Sequence, residues 1–149
     1  LDAVERRYVD EVGAMNIAFV YEGKHIRTPM LSGAILQGVT RDCLLKLAPD
    51  LGYPVMEDRI DIHEVMRDLA AGKITEAFGM GTGAVIAPVG RLGYQGRDYT
   101  FASGEAGPVA RKLFKSLTDI QYGRVPDPYG WTRVIEVAAA KLNPALVRV

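Results

Sequence analysis

The run Ser32-Gly33-Ala34-Ile35-Leu36-Gln37-Gly38-Val39-Thr40-Arg41 brings a glycine-bearing backbone onto the start of a predicted helix. The unpaired N–H groups of a helix's first turn and the positive end of its dipole together make an anion site, which a phosphate fits. The Thr40 hydroxyl can donate to such a phosphate, and Gly38 lets the main chain approach it without a Cβ in the way. An ordinary loop-to-helix junction capped by Thr40 accounts for the same residues, and the run has neither the spacing nor the lysine of a P-loop. A second stretch, Gly79-Met80-Gly81-Thr82-Gly83, reads as a loop between two apolar segments. The amides of Thr82 and Gly83 with the Thr82 hydroxyl suit a carboxylate or a second face of a phosphate; a plain glycine-rich turn is the alternative. The third is Asp10-Glu11-Val12-Gly13, where a carboxylate can hold a ring nitrogen protonated. A solvated charged face continuing Glu5-Arg6-Arg7 is the other reading of that run.

The remaining reactive side chains point to structure rather than chemistry. His25 falls in a predicted strand and His63 in the first turn of a predicted helix, with no further His or clustered Cys to give metal-ligand spacing. Cys43 lies on an apolar helix face beside Leu44 and Leu47, which favours a buried thiol over a nucleophile. Lys24, Lys46, Lys73, Lys112, Lys115 and Lys141 all fall at turns or on polar helix faces, whereas a lysine that forms a Schiff base needs a desolvated pocket.

These residues need elements to position them. Asn16 to Tyr21 and His25 to Thr28, joined by Glu22-Gly23-Lys24, predict a hairpin. Residues 31–39 predict a loop, and Cys43, Leu44, Leu47, Ala48 and Leu51 predict a helix entered at Thr40 and ended by Gly52-Tyr53-Pro54. Val55 to Ile60 predicts a strand, and Asp61 with Glu64 has capping-box spacing ahead of a second helix that ends near Gly72. Thr75 to Phe78 and Ala84 to Val89 predict strands on either side of the second glycine loop. Gly90 to Gly107 predicts a strand pair, Pro108 opens a helix through about Asp119, and Arg133 to Leu142 predicts a last helix. Alternating strands and helices give an α/β class.

With 149 residues and 48% hydrophobic content the chain can bury a core and is expected to form one domain spanning 1–149. Lys plus Arg and Asp plus Glu both number 18, so no net positive field draws the chain to nucleic acid or to an anionic membrane. No apolar run reaches the roughly 20 residues that span a bilayer. The lone Cys43 fits a reducing compartment, and a soluble cytoplasmic protein is expected. The chain opens Leu1-Asp2-Ala3 without an initiator Met or signal peptide, so it is expected to be a portion of a longer protein.

Glu11-Val12-Gly13-Ala14-Met15-Asn16 resembles the Glu-Val-Gly-Thr-Met-Asn signature of the branched-chain amino acid aminotransferases, fold type IV enzymes that use pyridoxal 5'-phosphate. Gly38-Val39-Thr40-Arg41 resembles the end of that family's Leu-Pro-Gly-Val-Thr-Arg loop, and Phe78-Gly79-Met80-Gly81-Thr82 its Phe-Gly-(small)-Gly-Thr loop. Gly104-Glu105-Ala106-Gly107-Pro108-Val109, Leu117-Thr118-Asp119-Ile120-Gln121-Tyr122-Gly123 and Asp127-Pro128-Tyr129-Gly130-Trp131 extend the resemblance over nearly the whole chain. It implies the large, C-terminal cofactor-binding domain of the D-amino acid aminotransferase-like fold, a mixed sheet forming a barrel-like core with flanking helices. It implies that Glu11 pairs with the pyridine nitrogen and Leu36 packs on the ring. Gly38, Val39 and Thr40 would bind the phosphate with help from the Thr82 hydroxyl, and amides at Thr82 and Gly83 would hold the substrate α-carboxylate. It further implies transfer of an amino group between Leu, Ile or Val and 2-oxoglutarate, and a homodimer.

Departures accompany the matches. Gln37 replaces the usual Pro, Ala14 replaces Thr, Gly83 stands where Ala is common, and Ala84 and Ala87 occupy the places of a CxxC pair found in some members. The family's Schiff-base lysine, a phosphate-binding arginine and the small domain precede the Glu11 motif, so the chain alone is expected to be inactive. The alternatives are a catalytically inactive phosphate-ligand or interaction module beginning at Leu1, or a D-amino acid aminotransferase or aminodeoxychorismate lyase of the same fold type.

Overall fold

The computed structural model describes residues 1–101 and 104–135. The chain divides into two compact units, Leu1–Thr118 and Asp119–Val149. Unit one is built on a six-stranded mixed sheet. β1 (Glu11–Val12), β2 (Met15–Tyr21), β3 (His25–Pro29), β4 (Val55–Asp58), β5 (Ile74–Gly81) and β6 (Val85–Pro88) lie in the order β4-β3-β2-β5-β6, with β1 also paired to β2. Every pairing is antiparallel except β3 with β4, whose strands are linked through α1 (Val39–Asp50). α2 (Ile62–Ala70) links β4 to β5.

β2 is buried on both faces, which is why its apolar run is continuous rather than alternating. Ile17 and Phe19 pack with Val65, Met66, Ile74 and Ala77 toward α2. Ala18 faces the other way, where Ile26, Leu44, Ala48, Phe78, Met80 and Leu113 enclose it. Burying a residue such as Phe19, wholly inaccessible here, contributes roughly 1.5–3 kcal/mol. The predicted β2–β3 hairpin, the loop before α1, the strand at Val55 and the buried Cys43 are all found. So is the strand pair, as a separate two-stranded sheet of β7 (Arg91–Tyr94) and β8 (Arg97–Thr100), followed by α3 (Pro108–Gln121).

The sheet is mixed, and among the described residues it is open, with β4 and β6 at its ends. Three expectations need correction. α1 begins at Val39 with Gly38 as its N-cap, so Thr40 is the second helical residue and not the cap: Gly38 is extended and its carbonyl accepts the Asp42 amide at 3.0 Å. The predicted loop at Gly79 is strand, since β5 runs through to Gly81 and only Thr82-Gly83-Ala84 turns. Its glycines make room for Met15, whose Cε would lie 2.8 Å from a Cβ at Gly79. The capping box forms by half: the Asp61 side chain accepts the His63 amide at 2.8 Å, but Glu64 is drawn off to Arg27 at 2.7 Å. Of the predicted last helix, Arg133, Val134 and Ile135 are irregular and the remainder lies outside the described residues.

In unit two, the Asp127 carboxylate accepts the Tyr129 amide at 3.0 Å and the Thr132 amide at 2.6 Å, and Tyr129 stacks on Trp131 at 4.1 Å. No helix among the described residues is long and apolar enough to cross a membrane.

Candidate active site

Strand direction places the three sequence-selected stretches at one end of the sheet. β2 starts there, at the turn Gly13-Ala14, and its antiparallel neighbour β5 ends there, with Asn16 opposite Met80. β1 folds back onto the same end, with Glu11 opposite Asn16 and Val12 opposite Met15. Alternation along β2 puts Asn16 on the face that carries Ala18, and α1 covers that face.

The loop into α1 is tied to this corner. The Leu36 amide donates to Glu11 Oε1 at 3.1 Å, and the Asn16 side-chain amide donates to the Leu36 carbonyl at 2.9 Å. Gly38 lies so near the sheet that a Cβ there would fall 2.2 Å from Asn16 Oδ1. Arg41, 4% exposed, bonds the Pro29 carbonyl at 2.8 Å and Glu57 at 2.6 Å, which anchors the first turn of α1 to the ends of β3 and β4. Thr28, fully buried, donates its hydroxyl to the Ile17 carbonyl at 2.7 Å. That carbonyl sits where β2's edge passes from β3 to β1, whose registers stop at Phe19 and Asn16 respectively.

Glu11, Leu36 and Gly38 are therefore brought together, and Val39 and Thr40 follow directly as the first residues of α1. Thr40 is buried at 8%, whereas the Leu36 and Val39 side chains are 72% and 75% exposed. Two large apolar side chains thus stand open beside a carboxylate and a helix N-terminus. Val39 can serve an anion only through its amide. Thr82 and Gly83 lie exposed in the β5–β6 turn at the same end of the sheet, and no hydrogen bond joins them to α1 among the described residues. Gln37 and Ala14 are exposed, and a Cβ at Gly83 would meet nothing within 4 Å.

Sequence reasoning gave no individual role to Asn16, Thr28 or Arg41. Asn is depleted in strands and Arg is seldom fully buried, so a polar residue inside an apolar run was the available signal. Lys24, Lys46, Lys73, Lys112 and Lys115 are exposed, as predicted. Among the described residues no three His, Cys, Asp or Glu side chains are grouped to hold a metal.

Known proteins resemble the chain in sequence and in fold. The chain is 48% identical over 132 residues to the branched-chain-amino-acid transaminase 1 of Bacillus subtilis, covering 89% of this chain and 37% of that protein. It is 51% identical over 134 residues to the branched-chain-amino-acid aminotransferase of Mycobacterium tuberculosis, covering 88% and 36%. Among solved structures, the T.th. branched-chain amino acid aminotransferase with pyridoxamine 5'-phosphate superimposes with a TM-score of 0.70 at 32% identity, covering 85% of this chain and 38% of the other. The Escherichia coli enzyme gives 0.68 at 29% identity, covering 85% and 39%. The chain thus spans little more than a third of the length of the relatives it matches. The profile of the amino-transferase class IV family matches residues 3–92, more than half of the chain and all of the corner described above, and the chain belongs to that family.

Proposed function

We propose that the chain is the large, C-terminal domain of a pyridoxal 5'-phosphate-dependent transaminase that moves the amino group between Leu, Ile or Val and 2-oxoglutarate. The observation that carries this reading is the meeting of the Glu11 carboxylate, the open Leu36 side chain and the first turn of α1 at one loop. A carboxylate for a ring nitrogen, an apolar surface for a ring face and a helix N-terminus for a phosphate form a donor set that fits this cofactor. The names of the relatives, and the pyridoxamine 5'-phosphate in the T.th. structure, support the same choice.

When bound, the cofactor supplies an electron sink for the carbon that bears the amino group. Glu11 would keep the proton on the ring nitrogen, since its carboxylate retains acceptor sites beyond the one taken by the Leu36 amide. Leu36 packs on the ring and keeps water from it. The Val39 and Thr40 amides and the Thr40 hydroxyl take the phosphate, with Gly38 allowing close approach and the Thr82 hydroxyl assisting. The Thr82 and Gly83 amides hold the substrate α-carboxylate. A desolvated lysine, which these exposed lysines do not offer, belongs to the longer protein in this reading. A barrel-like core completed at the edges β4 and β6, a homodimer and a cytoplasmic location are parts of the same proposal.

The test is to express the whole reading frame that contains this chain and to assay amino transfer from L-leucine, L-isoleucine and L-valine to 2-oxoglutarate. Glutamate formed with all three donors sustains the proposal, and no turnover with any of them overturns it.

A further inference from the structure

We propose that Asn16 is a positioning residue for the anion-binding end of α1, a role that rests on the cofactor reading above. Glu11 and Asn16 face each other in register across β1 and β2. They take opposite ends of the same loop residue: Glu11 Oε1 accepts the Leu36 amide at 3.1 Å, and Asn16 Nδ2 donates to the Leu36 carbonyl at 2.9 Å. That carbonyl also accepts the Gly38 amide at 2.9 Å. Leu36 is thus clamped from both sides, two residues before the N-cap.

The other atom of the Asn16 amide sets a distance. Oδ1 occupies the space where a Cβ of residue 38 would stand, 2.2 Å away. Gly38 can therefore sit against the sheet only because it has no side chain, and Asn16 determines how far the Val39 and Thr40 amides stand from it. By fixing Leu36, the same clamp turns Glu11 Oε1 toward the loop. Asn16 is 4% exposed, next to the buried run Ile17 to Val20. A polar group so placed is costly unless bonded, and the Asn16 side-chain amide donates to the loop that precedes α1.

The experiment uses the whole protein that contains this chain, with pyridoxamine 5'-phosphate, which has no aldehyde and so reads the non-covalent site without a covalent bond to lysine. Affinity is measured by fluorescence titration, and exchange of the Leu36 and Gly38 amides by hydrogen–deuterium exchange. Circular dichroism reports the folded fraction. Asn16→Ala is expected to weaken binding about three- to tenfold, as loss of one hydrogen bond implies, and to speed exchange of both amides. Gly38→Ala pushes on the same contact from the loop side and is expected to do likewise. In the Asn16→Ala background its effect should shrink, because Oδ1 is gone. Equal affinity per folded molecule in the native protein and in both single variants overturns the positioning role alone. Failure of the native whole protein to bind pyridoxamine 5'-phosphate at all overturns the cofactor reading, and this role with it.

Discussion

The Glu76 carboxylate, 5% exposed in the middle of β5, accepts the Val109 amide at 3.0 Å and the Ala110 amide at 2.9 Å. It caps α3 from 33 residues away in sequence. The approach is so close that a Cβ at Gly107 would lie 2.0 Å from Glu76 Cδ. A carboxylate at a helix N-terminus satisfies otherwise orphaned N–H groups and meets the positive end of the dipole.

Glu76→Ala should therefore lower the urea-unfolding free energy by about 2 kcal/mol, the scale of a lost cap with buried donors left unpaired. Gly107→Ala should destabilise as well, by forcing the carboxylate off those amides. Unfolding curves unchanged by either substitution would contradict this account of how α3 is held.

Thr28 supplies the bond that neither β3 nor β1 offers to the Ile17 carbonyl. Thr28→Val keeps shape and volume but leaves that buried acceptor unpaired, so a loss of about 1–3 kcal/mol is expected. Thr28→Ser, which restores the hydroxyl, should recover most of it. Thermal melts of the two variants give the comparison.

Gly83 is a departure from the family resemblance that the geometry tolerates in either form. A methyl group there meets nothing within 4 Å, and Gly83 is not among the glycines with positive φ. Gly83→Ala is expected to change stability by less than about 0.5 kcal/mol and to leave pyridoxamine 5'-phosphate affinity within twofold. A larger loss of affinity would place residue 83 in tighter contact with the ligand than its amide role requires.

At the start of the chain, Asp2 organises a loop by accepting the Tyr8 and Arg7 amides at 2.8 Å each and the Glu5 amide at 2.6 Å. The Tyr8 amide, working against burial and joined by those of Arg7 and Glu5, holds the Asp2 carboxyl well below its ordinary value of 3.8. Because the folded value is the lower one, this contribution is fully present above the ordinary value and is lost as pH falls from there through the folded value. Exchange of the Tyr8 amide, corrected for its intrinsic rate, should accelerate as pH is lowered below about 4. Asp2→Asn should remove that pH dependence. Protection that stays constant down to the lowest pH at which the chain remains folded would refute it.

Much of this was legible because the signals were local. The β2–β3 hairpin was readable from two β-rich runs and the turn Glu22-Gly23-Lys24, α2 from Asp61 as its cap, and the start of α3 from Pro108. The α1 cap was misplaced by two residues, because Thr40 is the usual capping type while the backbone at Gly38 does the capping. Gly79 and Gly81 looked like a loop because three glycines in five residues permit one; pairing with β2 and β6, which no local pattern announces, makes them strand, and their missing Cβ atoms leave room for Met15. Glu64 met the spacing of a capping box, but Arg27 offered a charged partner across 37 residues.

By its residue types and order, the sequence alone determined the α/β class, the family resemblance and the chemical character of three stretches: a carboxylate, a glycine-bearing helix start and a threonine-glycine turn. Only the tertiary structure decided that β2 and β5 run antiparallel in a register that gathers these stretches at one end of the sheet. It also decided that Asn16 and Glu11 meet at Leu36, and that Glu76 caps α3. The physical reason is that helix and turn signals act over a few residues. Register and buried hydrogen bonds join residues far apart in sequence, whose polar atoms must find partners once water is excluded.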